Sequence, residues 1–375
     1  MPTIRRRGFD AAPISDRIEA ITHDDWRAGN PRAALARAVR IFTERADHDA
    51  PDLARAIDQE RPDALLVDVN AWGALAAAEA WAGPWAMFCP YPLAVRSRDV
   101  PPFGPGLPPA RGPLGRLRDQ LLRPIVFGTL ERTMAPPINR IRDRLGLAPV
   151  GGADDIFGRA PLLLYLTAEP FEYPRSDWPD NVVLVGPCAW DPPTTHQHGW
   201  TTSTGRSCWS PPPRSSRTTP AWSGWRWRHW LRSPWPCWPR CRPATPRAFG
   251  RRPTRAWSGS SPPPGAGPRA CAVTHGGMGA TQKALAHGGP VCAVPFGRDQ
   301  LEVARRVEVA GAGTRLPAKR LRADRLRAKV GEAMRLRDGA ERVQEAFAAA
   351  GGPSAAADAF EHRLLHRELP QKLPS

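Results

Sequence analysis

"THGGMGATQKALAHGGPVCAVPFGRDQLEVARRVEVAGAG" spans residues 274–313 and decides how the rest of the chain is read. An apolar run, "ACAVTHGG" (270–277), ends in glycines and passes straight into the helical pattern "MGATQKALAHG" (278–288). A second apolar run, "VCAVPF" (291–296), is followed by "QLEVARRVEVAGAG" (300–313), a helix closed by glycines. Strand, helix, strand and helix in short succession predict a parallel sheet of the doubly wound α/β kind.

The chemistry sits at the strand ends. Glycines at 276, 277 and 279 let backbone approach a ligand closely. The free N–H groups of the helix start favour a phosphate. His275 adds a hydrogen bond or a positive charge for an oxyanion. The structural alternative is a tight strand-to-helix turn capped by Thr281. Just past the next strand come Asp299 and Gln300, at the carboxyl edge where such sheets bind ligands. A carboxylate beside an amide offers paired acceptors and donors, which suits sugar hydroxyls. The alternative for Asp299 is a helix N-cap.

Outward from this stretch the same alternation continues. "PRAALARAVRIFTERA" (31–46) and "PDLARAIDQE" (51–60) have helical spacing. "DALLVDVN" (63–70) reads as a buried strand, "AWGALAAAEAWAG" (71–83) as a helix and "WAMFCPYP" (85–92) as a strand. A Pro/Gly loop (101–113) precedes helical patterns from Leu114 to Leu147. "LLLYLTAE" (162–169) and "NVVLVGPC" (181–188) are further strands, and three helical segments run from the glycine-closed helix to about Leu365.

These residues resemble the nucleotide-sugar-dependent glycosyltransferases of the GT-B fold, in particular the bacterial macrolide and antibiotic glycosyltransferases (UDP-glycosyltransferase-like). "HGGMGATQKALA", "GGPVCAVPFGRDQLEVARRV" and "EVAGAGTRL" resemble the donor-binding half, while "RPDALLVDVNAWGA" and "LYLTAEPFEYPRSDWPDNVVLVGP" are similar to the acceptor half. The resemblance implies an α/β chain of two Rossmann-like domains, the first incomplete and the second interrupted. The expected boundaries are 1–190 for the acceptor domain, 191–270 for a frame-shifted, disordered segment and 271–375 for the donor domain. It implies an inverting transfer of a hexosyl group from a nucleoside diphosphate sugar to a hydroxyl of a hydrophobic small molecule. His275 and the backbone around Gly276, Gly277, Gly279, Ala280 and Thr281 would hold the departing diphosphate; Asp299 and Gln300 would read the sugar. Ala280 stands where the family often has Thr. Asp68, ending "LLVD", looks like the carboxylate that orients the histidine base; its alternative is a strand-end cap. That histidine belongs to a first strand-to-helix turn which the chain is expected to lack, and His23 in "EAITHDD" does not match its motif. The chain as written is therefore expected to be inactive. No cofactor or metal is expected, only a UDP- or dTDP-sugar as co-substrate and a small-molecule acceptor. Nucleic acid and membrane insertion are not expected.

One stretch resists this reading. From Thr194 to Ala270 the chain has thirteen arginines and no Asp, Glu or Lys, nine of its fifteen tryptophans and three of its seven cysteines. Outside it, 40 basic residues face 36 acidic ones, so the rest of the chain carries only +4 of the net charge of +17. A basic, aromatic groove for single-stranded nucleic acid and a disordered Pro/Arg segment are two readings. The third is a shifted reading frame. Trp has a single codon, TGG, so a frame starting one base earlier hides a Leu, Val or Met under each Trp. Residues 210–227 then back-read as VTTSSEFQDDAGLVRVAL: strand, polar loop and the start of a helix. The back-read strings VVLVTTSSEF and ANARVERF are similar to stretches that open the family's donor domain. The frame-shifted reading predicts no packed structure over 194–265 and makes the basic charge a by-product, and it discounts His196 and His198 as metal ligands. The seven cysteines form no C-x-x-C pair, which fits a reduced, cytoplasmic setting. "MPTIRRRGFDAAPIS" lacks the apolar core of a signal peptide, and "AWGALAAAEAWAGPWAMF" is too short to span a bilayer.

Overall fold

A computed structural model describes residues 2–24, 28, 30–189, 207–209 and 270–365. The chain forms two compact units. The first comprises Met1–Thr167, Pro174–Cys188 and Ala350–Ser375; the second comprises Ala168–Tyr173 and Ala189–Ala349.

The first unit holds a four-stranded parallel sheet, β1 (Leu65–Asp68), β2 (Trp85–Cys89), β3 (Leu162–Tyr165) and β4 (Val182–Leu184), in that spatial order. Leu65 pairs with Trp85, Ala86 with Leu162 and Leu163 with Val182. β3 is buried along its whole length, as a strand covered on both faces must be. Two short helices, α1 (Pro2–Arg5) and α2 (Asp16–Ala20), precede α3 (Pro31–Glu60); α4 (Trp72–Trp81), α5 (Pro113–Asp143) and α6 (Ala153–Gly158) complete the connections. Where the sequence suggests two helices broken at Pro51, α3 is one helix of 30 residues with Pro51 inside it. An internal proline costs about 3 kcal/mol, and packing along α4 offsets it: Val39, Ala46, Trp72 and Leu75 share one apolar core. The helices touch so closely that a Cβ on Gly73 would run into the Ala46 carbonyl and Asp49 Oδ1. Asp49 Oδ1 also accepts the Ala74 N–H at 2.9 Å, so α3 supplies the cap that α4 lacks in its own sequence.

The second unit holds β5 (Ser207–Trp209), β6 (Ala270–Thr274), β7 (Val291–Ala293) and β8 (Gly313–Arg315), again parallel and in sequence order. Helices α7 (Met278–Leu285), α8 (Gln300–Val309), α9 (Ala323–Ala333) and α10 (Arg337–Ala349) flank it. Cys271, Val273, Cys292, Val294, Leu326 and Val330 form part of its core. β8 has no strand signal in the sequence, being three residues of "GTR". It forms because Gly313 lets the backbone lie against Val291, where a Cβ would collide with the Val291 carbonyl.

Two expectations are corrected. The C-terminal boundary is not at the chain end. Helix α11 (Pro353–Phe360) joins the first unit, where Ala355, Ala356, Ala359, Phe360 and Leu364 cover Ala86, Leu162, Leu164 and Val185. The window expected to carry no packed structure contains β5, which pairs in parallel with Ala270–Ala272. The rest of the 194–265 expectation, with His196 and His198, lies outside the described residues.

Candidate functional site

β6 and β7 run side by side, with Thr274 opposite Ala293, so the residues that follow each strand emerge at one carboxyl edge. After β6 the chain turns through His275, Gly276 and Gly277 into α7. Gly276 has φ +81, in the left-handed region, and its N–H donates to Thr274 Oγ1 at 2.8 Å. Gly277 is the N-cap of α7, and a Cβ there would lie 2.5 Å from His275 Nε2. The imidazole is thus folded across the glycine, over the helix start. The first intrahelical bond, Thr281 N–H to Gly277 O, is 3.1 Å. The N–H groups of Met278, Gly279 and Ala280 precede it and have no acceptor within the helix. Gly279 borders open space.

After β7 the chain passes through Phe296, Gly297 and Arg298 to Asp299 and Gln300. A Cβ on Gly276 would sit 3.1 Å from the Gln300 carbonyl oxygen, so the two strand-end loops are in contact. The structure therefore brings His275, Gly276, Gly277, Gly279, Ala280, Asp299 and Gln300 to one edge. Asp299 occupies the N-cap position of α8, yet its side chain makes no capping hydrogen bond. The capping alternative thus does not account for its carboxylate. Gln300 Oε1 accepts from Phe296 N–H at 2.8 Å and Gly297 N–H at 3.2 Å, which fixes the loop and uses the amide as an acceptor through its oxygen, its NH2 being a donor. Thr281 differs from both expectations for it. It lies in the second turn and not at the cap, it is 0% exposed, and its Oγ1 is sealed without a hydrogen-bond partner among the described residues. It belongs to the packing beneath the turn.

Electrostatics divide the roles. Burial, reinforced by the Arg298 charge, lowers the His275 pKa below its usual 6.5. At neutral pH the ring is uncharged and acts as a hydrogen-bond group, not as a cation. Burial raises the Asp299 pKa, while Arg298 and Arg306 draw it back down. Arg298 was not legible in the sequence. It is an exposed residue held at φ +55, an uncommon conformation for a side chain other than glycine. Its only sequence signal is its place between Gly297 and Asp299.

Asp68 ends β1 in the first unit. Its Oδ1 accepts from Asn70 N–H and Asn70 Nδ2, both at 2.9 Å, and Tyr91 Oη donates to Asn70 Oδ1 at 3.1 Å. One oxygen thus makes the strand-end cap; the other has no partner among the described residues. Those residues contain no group of three or more His, Cys, Asp or Glu able to hold a metal ion. No described helix is long and apolar enough to cross a membrane.

Residues 268–362 match the C-terminal domain of the erythromycin biosynthesis protein CIII-like family. The chain is 34% identical over 149 residues to 4'-demethylrebeccamycin synthase of Lentzea aerocolonigenes, a match covering 39% of this chain and 35% of the relative. It is 39% identical over 91 residues to the uncharacterized UDP-glucosyltransferase YojK of Bacillus subtilis (strain 168), covering 24% of this chain and 22% of that protein. The matches thus span about a third or less of these curated relatives. Among solved structures, the glycotransferase of kitacinnamycin superposes with a TM-score of 0.63 at 21% identity, over 96% of this chain and 88% of the other. Glycosyltransferase VinC in complex with DTDP superposes with a TM-score of 0.58 at 16% identity, over 98% and 90%. Residues 268–362 therefore match that C-terminal domain, and the chain has the GT-B fold of these solved structures.

Proposed function

We propose that this protein is built as an inverting glycosyltransferase, moving a hexosyl group from a UDP- or dTDP-sugar to a hydroxyl of a hydrophobic small molecule. The observation that carries the reading is the meeting of two loops at one sheet edge. The His275–Gly277 turn offers N–H groups to a diphosphate, and Asp299–Gln300 lie against Gly276. In the transfer, the bond from the anomeric carbon to the β-phosphate oxygen breaks as the acceptor oxygen attacks from the opposite face. The diphosphate gains charge as it leaves. The α7 start and the neutral His275 donate hydrogen bonds to it, so they act mainly in the transition state. Asp299 accepts from sugar hydroxyls, and the Gln300 NH2 donates to them. The acceptor proton would go to the histidine base that the resemblance implies and that this chain is expected to lack; the open oxygen of Asp68 would orient it.

The test is transfer or hydrolysis of UDP-glucose and dTDP-glucose by the full chain, compared with Asp299→Asn. Release of nucleotide that the variant loses supports the reading. Release unaffected by the variant, or an absence of nucleotide binding, refutes it.

A second reading rests on the acid-free window at 194–270: this polypeptide is the inactive product of a frame-shifted glycosyltransferase gene. Resequencing the gene, and assaying the chain with its frame restored, separates the two.

A further inference from the structure

A buried charge cluster lies under the donor edge, away from the atoms given roles above. Arg306, on α8, is 2% exposed. Its Nε donates to Glu172 Oε2 at 3.0 Å and its Nη2 to Glu172 Oε1 at 2.8 Å, a two-pronged pair. Its Nη1 donates to Glu302 Oε2 at 3.0 Å. The guanidinium stands 4.4 Å from the centre of the Tyr173 ring. Glu172 is 0% and Glu302 3% exposed. Glu172 comes from Ala168–Tyr173, a six-residue strap that belongs to the second unit although Thr167 and Pro174 beside it belong to the first. The strap has a second anchor: Phe171 meets Phe347 of α10 edge-on, 5.8 Å between ring centres.

Such a cluster is a poor way to gain stability. Removing three charges from water is expensive, and apolar side chains of similar volume often stabilise a core as well or better. Its contribution is geometric. A planar guanidinium engaged on both prongs by one carboxylate and on a third nitrogen by another accepts essentially one arrangement. Glu302 lies in the first turn of α8, where its N–H and that of Val303 bond the Asp299 carbonyl at 3.0 and 3.1 Å. Fixing Glu302 therefore fixes the turn that presents Asp299 and Gln300. The Arg306 charge also favours the ionised form of Asp299 against the effect of burial.

We propose that Arg306 is a positioning residue of the donor edge, which locks the strap Ala168–Tyr173 to the first turn of α8 and so sets Asp299 and Gln300 against the His275–Gly277 turn. The inference rests on reading that edge as a nucleotide-sugar site.

The experiment compares the full chain with Arg306→Met, Arg306→Lys and Glu172→Gln, with Val343→Ala in the buried face of α10 as a general destabilisation control. Calorimetry measures UDP-glucose and dTDP-glucose against UDP and dTDP, and hydrogen exchange follows residues 297–303. A misplaced sugar-reading turn should weaken the nucleotide sugars by about 10–100-fold and leave the bare diphosphates unchanged, because only the sugars touch Asp299 and Gln300. Arg306→Lys should fall between, since it keeps the charge without the fork. Exchange should rise at 297–303 in Glu172→Gln and not in Val343→Ala. Where Arg306→Met does not fold, Glu172→Gln carries the comparison, because it retains an acceptor oxygen and removes one charge. Equal weakening of sugars and bare diphosphates, or exchange rising uniformly over the unit, overturns the proposal. If the unmodified chain binds no nucleotide at all, the glycosyltransferase reading fails by itself. Exchange then decides the positioning role: selective exposure at 297–303 supports it, and none overturns it.

Discussion

Gly276 stands against the backbone of Gln300, so close that a Cβ on the glycine would lie 3.1 Å from the Gln300 carbonyl oxygen. This contact joins the loop after β6 to the loop after β7 and makes a single edge of two strand ends. It also explains why glycine is required at 276 for two separate reasons, since φ there is +81.

Gly276→Ala should therefore destabilise the chain by about 1–2 kcal/mol, from the left-handed backbone alone. The carbonyl of Gln300 has little room to yield, because α8 begins at that residue. Urea unfolding measures the loss, and UDP titration should show weakened binding. A variant as stable as the parent, with unchanged nucleotide affinity, would mean that the two loops do not meet in this way.

In an intact version of the protein, His275→Ala should lower turnover by about 10²–10³-fold, the usual effect of removing one donor to developing negative charge, and should leave acceptor affinity unaltered. The pH dependence has a defined sign. The folded His275 pKa lies below the usual 6.5, so the ring is neutral in the free protein at neutral pH. A bound diphosphate favours the imidazolium, and so nucleotide affinity should rise as pH falls through and below about 6.5, with proton uptake. Calorimetry in buffers of different ionisation enthalpy would detect the uptake; the same dependence in His275→Ala would assign it elsewhere. For stability the sign is opposite. The unfolded chain binds this proton more readily, so the His275 contribution is present above about 6.5 and lost as pH falls.

Asp49 should govern a second pH effect. Burial pushes its pKa from 3.8 to about 6, against the opposing pull of Arg45 and of the Ala74 and Gly73 N–H groups. A carboxyl raised in the folded state contributes stability that is complete below about 4 and lost as pH rises through about 6. The difference of about two pKa units corresponds to about 3 kcal/mol at most. Asp49→Asn, which keeps an acceptor for the Ala74 N–H, should flatten this part of the stability profile. Urea midpoints between pH 4 and 7 that change equally in parent and variant would contradict the assignment.

The acid-free window leads to a prediction about the gene. Restoring the frame between about Pro193 and Ala270, together with the histidine base that the resemblance implies, should give soluble protein that releases nucleotide from a UDP- or dTDP-sugar, while the chain as written aggregates or stays inactive. Both forms are expressed side by side and assayed with the same donors. Equal activity from the unrepaired chain would overturn the frame-shift reading. β5 is relevant here, because Ser207–Trp209 pairs with β6 at the place where the shifted text back-reads as a Val/Leu strand.

The periodic apolar runs by themselves determined the α/β class and six of the eight described strands, because a strand buried on both faces must be apolar throughout, as "LLLY" and "VCA" are. They also determined that His275 and Asp299 share an edge, since successive parallel strands end on the same side. Tertiary structure decided the rest. β8 exists through the close approach of Gly313 to Val291, which no local pattern in "GTR" encodes. Thr281 went into the core and Asp49 became the cap of a helix distant in sequence, because packing against α7 and α4 sets which way those side chains face. The Arg306–Glu172 pair joins residues 134 positions apart. Burial of that kind, and the pKa shifts at His275, Asp299 and Asp49, depend on which surfaces meet, and only the folded chain brings those surfaces together.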